Sequence, residues 1–344
     1  MNKTEKIYIE LKKRLQSGFY PEGSKFPSEN LLADEFSVNK MTINKIVSML
    51  AEQAYLIRGC RGAGTKVADI SSRPCGSLAF LAPLSAYTMQ VLQGIYAEAI
   101  RRNFNVIIES PPVSELGHRL KLLKNSNIKG VISVTYGTPH LPEGMKLFAV
   151  DCTVADADPD VHIINSDNYQ GGIQMMSEII RRGHRNILIF STEYLFNNSN
   201  MQKTPRIRGF HHAMSENGIA DFGERTFYGA PSSAADAKYF LETYLKRYPE
   251  TTLIAADSDG SVSLLHSAAL QLGIDCPGRI ALTGFGNVSP LPIANVDQNP
   301  CRQGELAARY LIDYTLNGID NAPSSVSVET SLVNIEQIPI ILKN

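Results

Sequence analysis

From residue 77 onward, short apolar runs alternate with amphipathic stretches, and few folds accommodate that pattern. The runs are SLAFLAPL, FNVIIES, KGVISV, KLFAVD, RNILIFS, TTLIAA and RIALTGF, each of strand length. Between several of them lie stretches of helical periodicity, at 89–103, 167–183, 203–217, 232–248 and 259–273. A strand that is apolar on both faces must be covered on both faces, and intervening helices supply the cover. The expected class is therefore α/β, with parallel Rossmann-like sheets that bind ligands at the carboxyl ends of their strands.

The first seventy residues follow a different rule. Ile7, Leu11 and Leu15 recur at four-residue steps, which predicts a helix over 3–16 ending near Gly18. Turn chemistry in YPEGSKFP precedes a short helix over 29–36 that Ser28 can cap, and SVN makes a tight turn into a third helix from about 40 to 52. In that third helix Ile43, Ile46, Val47 and Leu50 form one apolar stripe. Met41, Asn44, Lys45 and Ser48 lie opposite, with Lys40 and Thr42 flanking them at the helix start. Taken alone, such a face is explained by solvation. Next comes YLIRGCRGAGTKVAD, which reads as two strands around a glycine-rich tip carrying Arg58, Arg61 and Lys66, with Gly62 and Gly64 permitting the turn. The ordered series of two helices, tight turn, polar-faced helix and basic hairpin predicts a winged helix-turn-helix, with hydrogen-bonding and cationic groups placed for base edges and phosphates.

Charge agrees in sign. Residues 1–70 carry 11 Lys and Arg against 8 Asp and Glu, whereas the remainder carries 22 against 26, so a basic end sits on an acidic body. No apolar signal-peptide core opens the sequence, and no run approaches the roughly 18 apolar residues of a membrane span. Five scattered cysteines without a C-x-x-C read as reduced thiols, which with the missing leader predicts a cytoplasmic protein with no membrane association. No cofactor is expected. Phosphate-loop, dinucleotide and nucleophile-elbow motifs are absent, and the adjacent His211 and His212 point about 100° apart on a helix, a poor metal pair. Asp257 and Asp259, at a strand end, suit either acid/base chemistry or hydrogen bonds to sugar hydroxyls, and without a partner motif binding is the expectation.

Residues 3–68 resemble the GntR-type winged helix, through Pro27-Ser28-Glu29, Val38, Thr42, Arg58 and the Gly62/Gly64 wing. That resemblance implies DNA contacts from Ser28, Asn30, Lys40, Met41, Thr42, Asn44, Lys45, Arg58, Arg61 and Gly62. Asn30, Lys40 and Asn44 stand where the family often has arginine, so a different operator sequence is implied. Residues 77–344 resemble the LacI/GalR-type sugar-sensing domain of the type I periplasmic-binding-protein fold. The resemblance lies in LFAVD (147–151), INSDNYQGGIQMMSEIIRRGHRNILIF (164–190), RIRGFHHAM (206–214), the segment 258–287 and VDQNPCRQGELAARYL (296–311). It implies one lobe from about 77–164 with 292–323, a second from about 165–291 with 324–344, and ligand in the cleft between them. Position by position, it carries effector contacts onto Asp151, Arg206 and Asp259. Tyr87 and Tyr136, in loops after strands, could stack on a sugar face but would equally suit packing; Gln298 is a further candidate. Gly284-Phe285-Gly286-Asn287 departs from a family segment with an acidic pair, leaving Asn287 at the site and the ligand's identity open.

The domains expected are thus a DNA-binding unit at 1–68, a linker at 69–76 and a sensor at 77–344. The pairing resembles the arabinose-repressor class of bacterial regulators. It implies a homodimeric, ligand-responsive transcription factor, more repressor than activator, on an inverted-repeat operator in double-stranded DNA. The rival readings are a carbohydrate-active enzyme with a nucleic-acid tether and a constitutive DNA-binding protein with a vestigial cleft.

Overall fold

The computed structural model describes residues 3–59, 64–69, 74–134, 136, 139–152, 160–191, 204–229 and 233–341. It divides into two compact units, residues 1–76 with 103–105 and residues 77–102 with 106–344.

In the first unit α1 (Lys3–Gln16), α2 (Glu29–Phe36) and α3 (Lys40–Glu52) precede an antiparallel pair, β1 (Leu56–Arg58) and β2 (Thr65–Val67). Ile7, Leu11 and Leu15 of α1 meet Leu32 of α2, Ile43, Ile46, Val47 and Leu50 of α3, and Leu56 and Val67 of the hairpin in one core. The apolar stripes expected on α1 and α3 are thus the buried ones. Each short helix begins on a capping side chain: Ser28 accepts from the Leu31 N–H and Asn39 from the Thr42 N–H, satisfying groups the helix leaves over. Lys25 adds a bridge to Lys66, extending the hairpin by a third short segment. The tip between the strands, with Arg61 and Gly62, lies outside the described residues, as does 70–73 of the expected linker.

The second unit holds two six-stranded sheets. One has the order β13-β7-β6-β5-β3-β4 and the other β14-β12-β11-β10-β8-β9. The first is built from β3 (Gly76–Leu81), β4 (Phe104–Glu109), β5 (Gly130–Val134), β6 (Lys146–Val150), β7 (Val161–Ser166) and β13 (Ser325–Val328). The second uses β8 (Ile187–Ser191), β9 (Thr226–Tyr228), β10 (Leu253–Ala256), β11 (Ala281–Phe285), β12 (Ala294–Asp297) and β14 (Ser331–Val333). Apart from β3 and β4, which are neighbours on one edge, the strands pair in parallel except for β14, which runs antiparallel to β12. The chain therefore passes between sheets after β7, after β12 and after β13. The lobe boundaries differ from the expected ones: β12 stays in the second sheet, so the return falls beyond Asp297 and not near 292, and β13 still belongs to the first, so the last passage follows Val328 and not 323. The five strands missing from the apolar runs (β7, β9, β12, β13 and β14) are short or interrupted by polar residues, as in VHIINS and SVSV, and carry no signal of their own.

The helices are α4 (Ala86–Arg101), α5 (Leu116–Asn125), α6 (Asn168–Arg181), α7 (Pro205–Glu216), α8 (Ala234–Arg247), α9 (Asp259–Gln271) and α10 (Pro300–Asn317). In the second lobe α6 and α7 pack with Ile187, Ile189, Leu253 and Ala255 on one face of the sheet, while α8 and α9 cover Leu188, Phe190, Ile254 and Leu282 on the other. Both lobes join a helix pair through glycine. A side chain at Gly94 of α4 would collide with the Cys301 carbonyl of α10, and one at Gly304 with the Val91 carbonyl. Likewise a side chain at Gly172 of α6 would meet the Arg206 carbonyl, and one at Gly209 of α7 the Tyr169 carbonyl. Backbones in such contact exclude any Cβ. Gly209→Val should therefore destabilise the chain by about 1–3 kcal/mol, the usual cost of overpacking, seen as a lower urea midpoint; an unchanged midpoint would contradict the close helix contact.

Candidate functional site

On α3, Lys40, Met41, Asn44 and Lys45 are exposed while the opposite stripe is buried, and Met41 reaches 81% exposure. The face is polar without being loose. Thr42 Oγ1 donates to Asn39 Oδ1 over 2.8 Å, which holds its hydroxyl at the helix start. Asn44 Nδ2 donates to Glu29 Oε1 over 2.7 Å. Arg58, expected beside the wing tip, leans back onto α3: its Nη2 donates to the Asn44 carbonyl at 3.3 Å and stands 3.7 Å from Glu29 Oε1. Ser28 is both cap and surface residue, and Asn30 is exposed in the first turn of α2. Composition hides Glu29, because an acid at a helix start reads as dipole compensation.

The second group of residues gathers where the two lobes meet. Asp151 follows β6 with φ 51°, a left-handed backbone that aspartate tolerates better than most residues. Arg206, on the first turn of α7, approaches it from the other lobe, with Nη2 3.7 Å from Asp151 Oδ1. The guanidinium is otherwise anchored within its own lobe. Nη1 donates to the Asp257 carbonyl at 2.8 Å, Nε to Asn168 Oδ1 at 3.2 Å, and the plane lies 4.4 Å from the Phe285 ring centroid. Three fixed contacts aim the remaining edge at Asp151. Tyr87, at the start of α4, donates its hydroxyl to Gln303 Oε1 at 3.3 Å. Burial, and after it the negative charge of Asp151, push its phenol well above the usual range, so it stays a neutral O–H donor.

Behind these groups runs a buried polar chain that joins the lobes. Ser166 Oγ and Gln303 Nε2 both donate to the Gln298 carbonyl, at 2.7 and 2.8 Å, and Gln298 Nε2 donates to Asn168 Oδ1 at 3.1 Å. Gln298 is 2% exposed, so it braces Asn168 and through it Arg206. Asn168, Gln303 and Ser166 were not among the expected site residues; nothing in their local sequence distinguishes them from ordinary helix or strand residues.

Besides Gln298, which is buried against Asn168, three more expected ligand contacts have other work. Asp259 is 3% exposed and its carboxylate is taken by protein donors: the Val288 N–H at 2.6 Å, the Ser289 N–H at 2.9 Å and Asn295 Nδ2 at 2.6 Å. Gly284 is glycine because a side chain there would strike that carboxylate. Asn287 (φ 54°) donates its N–H to Asn295 Oδ1 at 3.0 Å and its amide to Asp297 Oδ2 at 3.2 Å, closing the same loop. Tyr136 donates to the Pro111 carbonyl at 2.6 Å and packs on the first lobe's core. Sequence pattern could not separate a carboxylate that meets a ligand from one that pins a loop, since both open a helix after a strand. Asp259→Ala would leave buried donors unanswered, so a loss of about 3 kcal/mol in urea unfolding is expected. A variant as stable as the parent would return Asp259 to the list of free ligand contacts.

Residues 3–67 match the model of bacterial regulatory proteins of the gntR family, and residues 176–334 match that of the periplasmic binding protein-like domain. The arabinose metabolism transcriptional repressor of Halalkalibacterium halodurans is 22% identical over 339 residues, covering 88% of this chain and 86% of that protein. Among solved structures, a transcriptional regulator CelR–cellobiose complex superposes with a TM-score of 0.62 at 16% identity, covering 90% of this chain and 98% of its own. A LacI family transcriptional regulator from Enterococcus faecium with bound ribose gives 0.62 at 15% identity, over 75% of this chain and 96% of its own.

Proposed function

We propose that this chain, a transcription regulator joining a gntR-family DNA-binding domain to a periplasmic-binding-protein-like domain, acts in the cytoplasm as a homodimeric repressor that senses a sugar between its two lobes. The observation that carries the sensing half is the meeting of Asp151 and Arg206 from opposite lobes, 3.7 Å apart. A polyhydroxyl ligand entering between them would accept from the guanidinium and donate to the carboxylate, exchanging one long ion pair for several charge-assisted hydrogen bonds. Tyr87, whose O–H is given to Gln303, adds an acceptor oxygen on the first lobe. That relatives and structural neighbours carry arabinose, cellobiose and ribose in their names supports a sugar over other small molecules. Among the described residues the carboxylate of Asp259 is engaged and position 286 is glycine, so Asp151 serves as the acceptor for ligand hydroxyls.

Ligand binding can alter operator affinity only as far as the ligand prefers one arrangement of the lobes. Joined by three chain passages and a continuous polar chain from Ser166 to Arg206, the lobes can respond to the ligand by a hinge movement. Dimerisation would convert that hinge into a change of spacing between two recognition helices. Its surface is supplied by α4, which turns Val91 and Ile95 inward while exposing Met89 (44%), Tyr96 (38%) and Ile100 (74%) at helical spacing.

Two substitutions separate the halves. On a duplex selected by the parent protein, Lys45→Ala should weaken binding and lower the log–log salt slope by about one, with the thermal response to a binding sugar kept. Arg206→Ala should do the reverse, abolishing stabilisation by every pentose, hexose or short glycoside that stabilises the parent, without changing DNA affinity in its absence. Loss of DNA binding in Arg206→Ala would make that residue structural, and consumption of the sugar would make the chain an enzyme. For the dimer, Ile100→Glu should shift the sedimentation coefficient to that of a monomer and cut operator affinity at least tenfold; a dimeric variant with full affinity would move the interface elsewhere.

A further inference from the structure

Glu29 is an acid on a surface proposed to meet a polyanion, and its position demands a reason. Its carboxylate lies 2.7 Å from Asn44 Nδ2 and 3.7 Å from Arg58 Nη2, while Arg58 also donates to the main-chain carbonyl of Asn44 at 3.3 Å, leaving the side-chain Oδ1 untouched by it. A carboxylate only accepts hydrogen bonds, so the amide of Asn44 must offer its NH2 to Glu29 and cannot turn over. Arg58 holds the carboxylate in turn. With a side chain 27% exposed, Glu29 is partly shielded from water, which strengthens the contact.

We infer that Glu29 is a specificity-determining positioning residue, which locks the Asn44 amide so that its carbonyl oxygen, and not its NH2, leads toward a base edge. The inference rests on the proposal that α3 enters the major groove. A free asparagine can rotate to match donor or acceptor edges; a locked one presents an acceptor together with its second N–H. The bases that answer an acceptor are those with an exocyclic amino group, adenine at N6 and cytosine at N4. A guanine O6 or thymine O4 at the same place would face oxygen with oxygen. The carboxylate contributes against affinity as well, because it repels phosphate and lowers binding to any sequence. Selectivity is gained and general affinity is reduced by the same group.

The test is selection of duplexes from a randomised library by the full-length parent, Glu29→Gln and Asn44→Ala, with thermal melts verifying folding. In the parent, one base-pair position should favour adenine or cytosine on the strand read by Asn44. Asn44→Ala should erase the preference at that position. Glu29→Gln, whose amide can accept or donate, should erase at least most of it too, a five- to tenfold loss of discrimination, while binding random duplex more tightly than the parent. Preferences in Glu29→Gln identical to the parent's, or altered at a position other than the one Asn44→Ala affects, would overturn the inference. If the parent enriches no sequence, or Asn44→Ala alters no position, the placement of α3 in the groove fails instead, and the inference with it. Should Glu29→Gln fold poorly, Glu29→Asp gives the same reading: a shorter acid that no longer reaches Asn44 should relax the same position.

Discussion

Two helices that touch backbone to backbone determine what the larger unit can do. Gly172 and Gly209 let α6 and α7 approach so closely that each helix places its first turn beside the other's, and this brings Asn168 and Arg206 together. Only then can the guanidinium reach the Asp257 carbonyl, lie on Phe285 and present its last edge to the opposite lobe. Any side chain at either glycine would force the helices apart by more than a hydrogen bond tolerates. The first lobe uses the same device between α4 and α10, and there it brings Tyr87 to Gln303. Side chains where the two lobes meet therefore inherit their precision from glycines well behind them.

Physical necessity explains which parts of this arrangement were legible in the sequence. Helix periodicity in the first unit depends on local amphipathic faces, so α1, α2 and α3 could be located from Ile7, Leu11, Leu15, Leu32 and the α3 stripe. Fully buried strands such as β5, β8, β10 and β11, and β6 beyond Lys146, betray themselves as apolar runs. Edge and cross-lobe strands do not, since β9, β13 and β14 are short and half solvated. The lobe boundaries erred for the same reason: nothing local says to which sheet a four-residue strand like ANVD belongs.

The site was legible in type and less so in role. Asp151 and Arg206, far apart in sequence, face one another as their residue types would suggest. Asp259 looked equivalent to Asp151, yet its donors come from Val288, Ser289 and Asn295, some thirty residues on, and only the folded loop reveals that the carboxylate is already engaged. In the smaller unit the converse holds. Glu29, which enters the sequence reading only as part of Pro27-Ser28-Glu29, grips a residue on the next helix, whose exposed amide is the more obvious candidate. In both cases the missing information was the partner, which sequence spacing does not encode.

If sugar and DNA act on one equilibrium, linkage makes their coupling directly measurable. Titration of a stabilising sugar by calorimetry, into the free protein and into its complex with a selected duplex, gives two affinities. They should differ by the same factor by which the sugar changes duplex affinity, because coupling between two sites is reciprocal. Equal sugar affinities in the two titrations would show that the cleft and the helix face do not communicate, and the regulator mechanism would be contradicted.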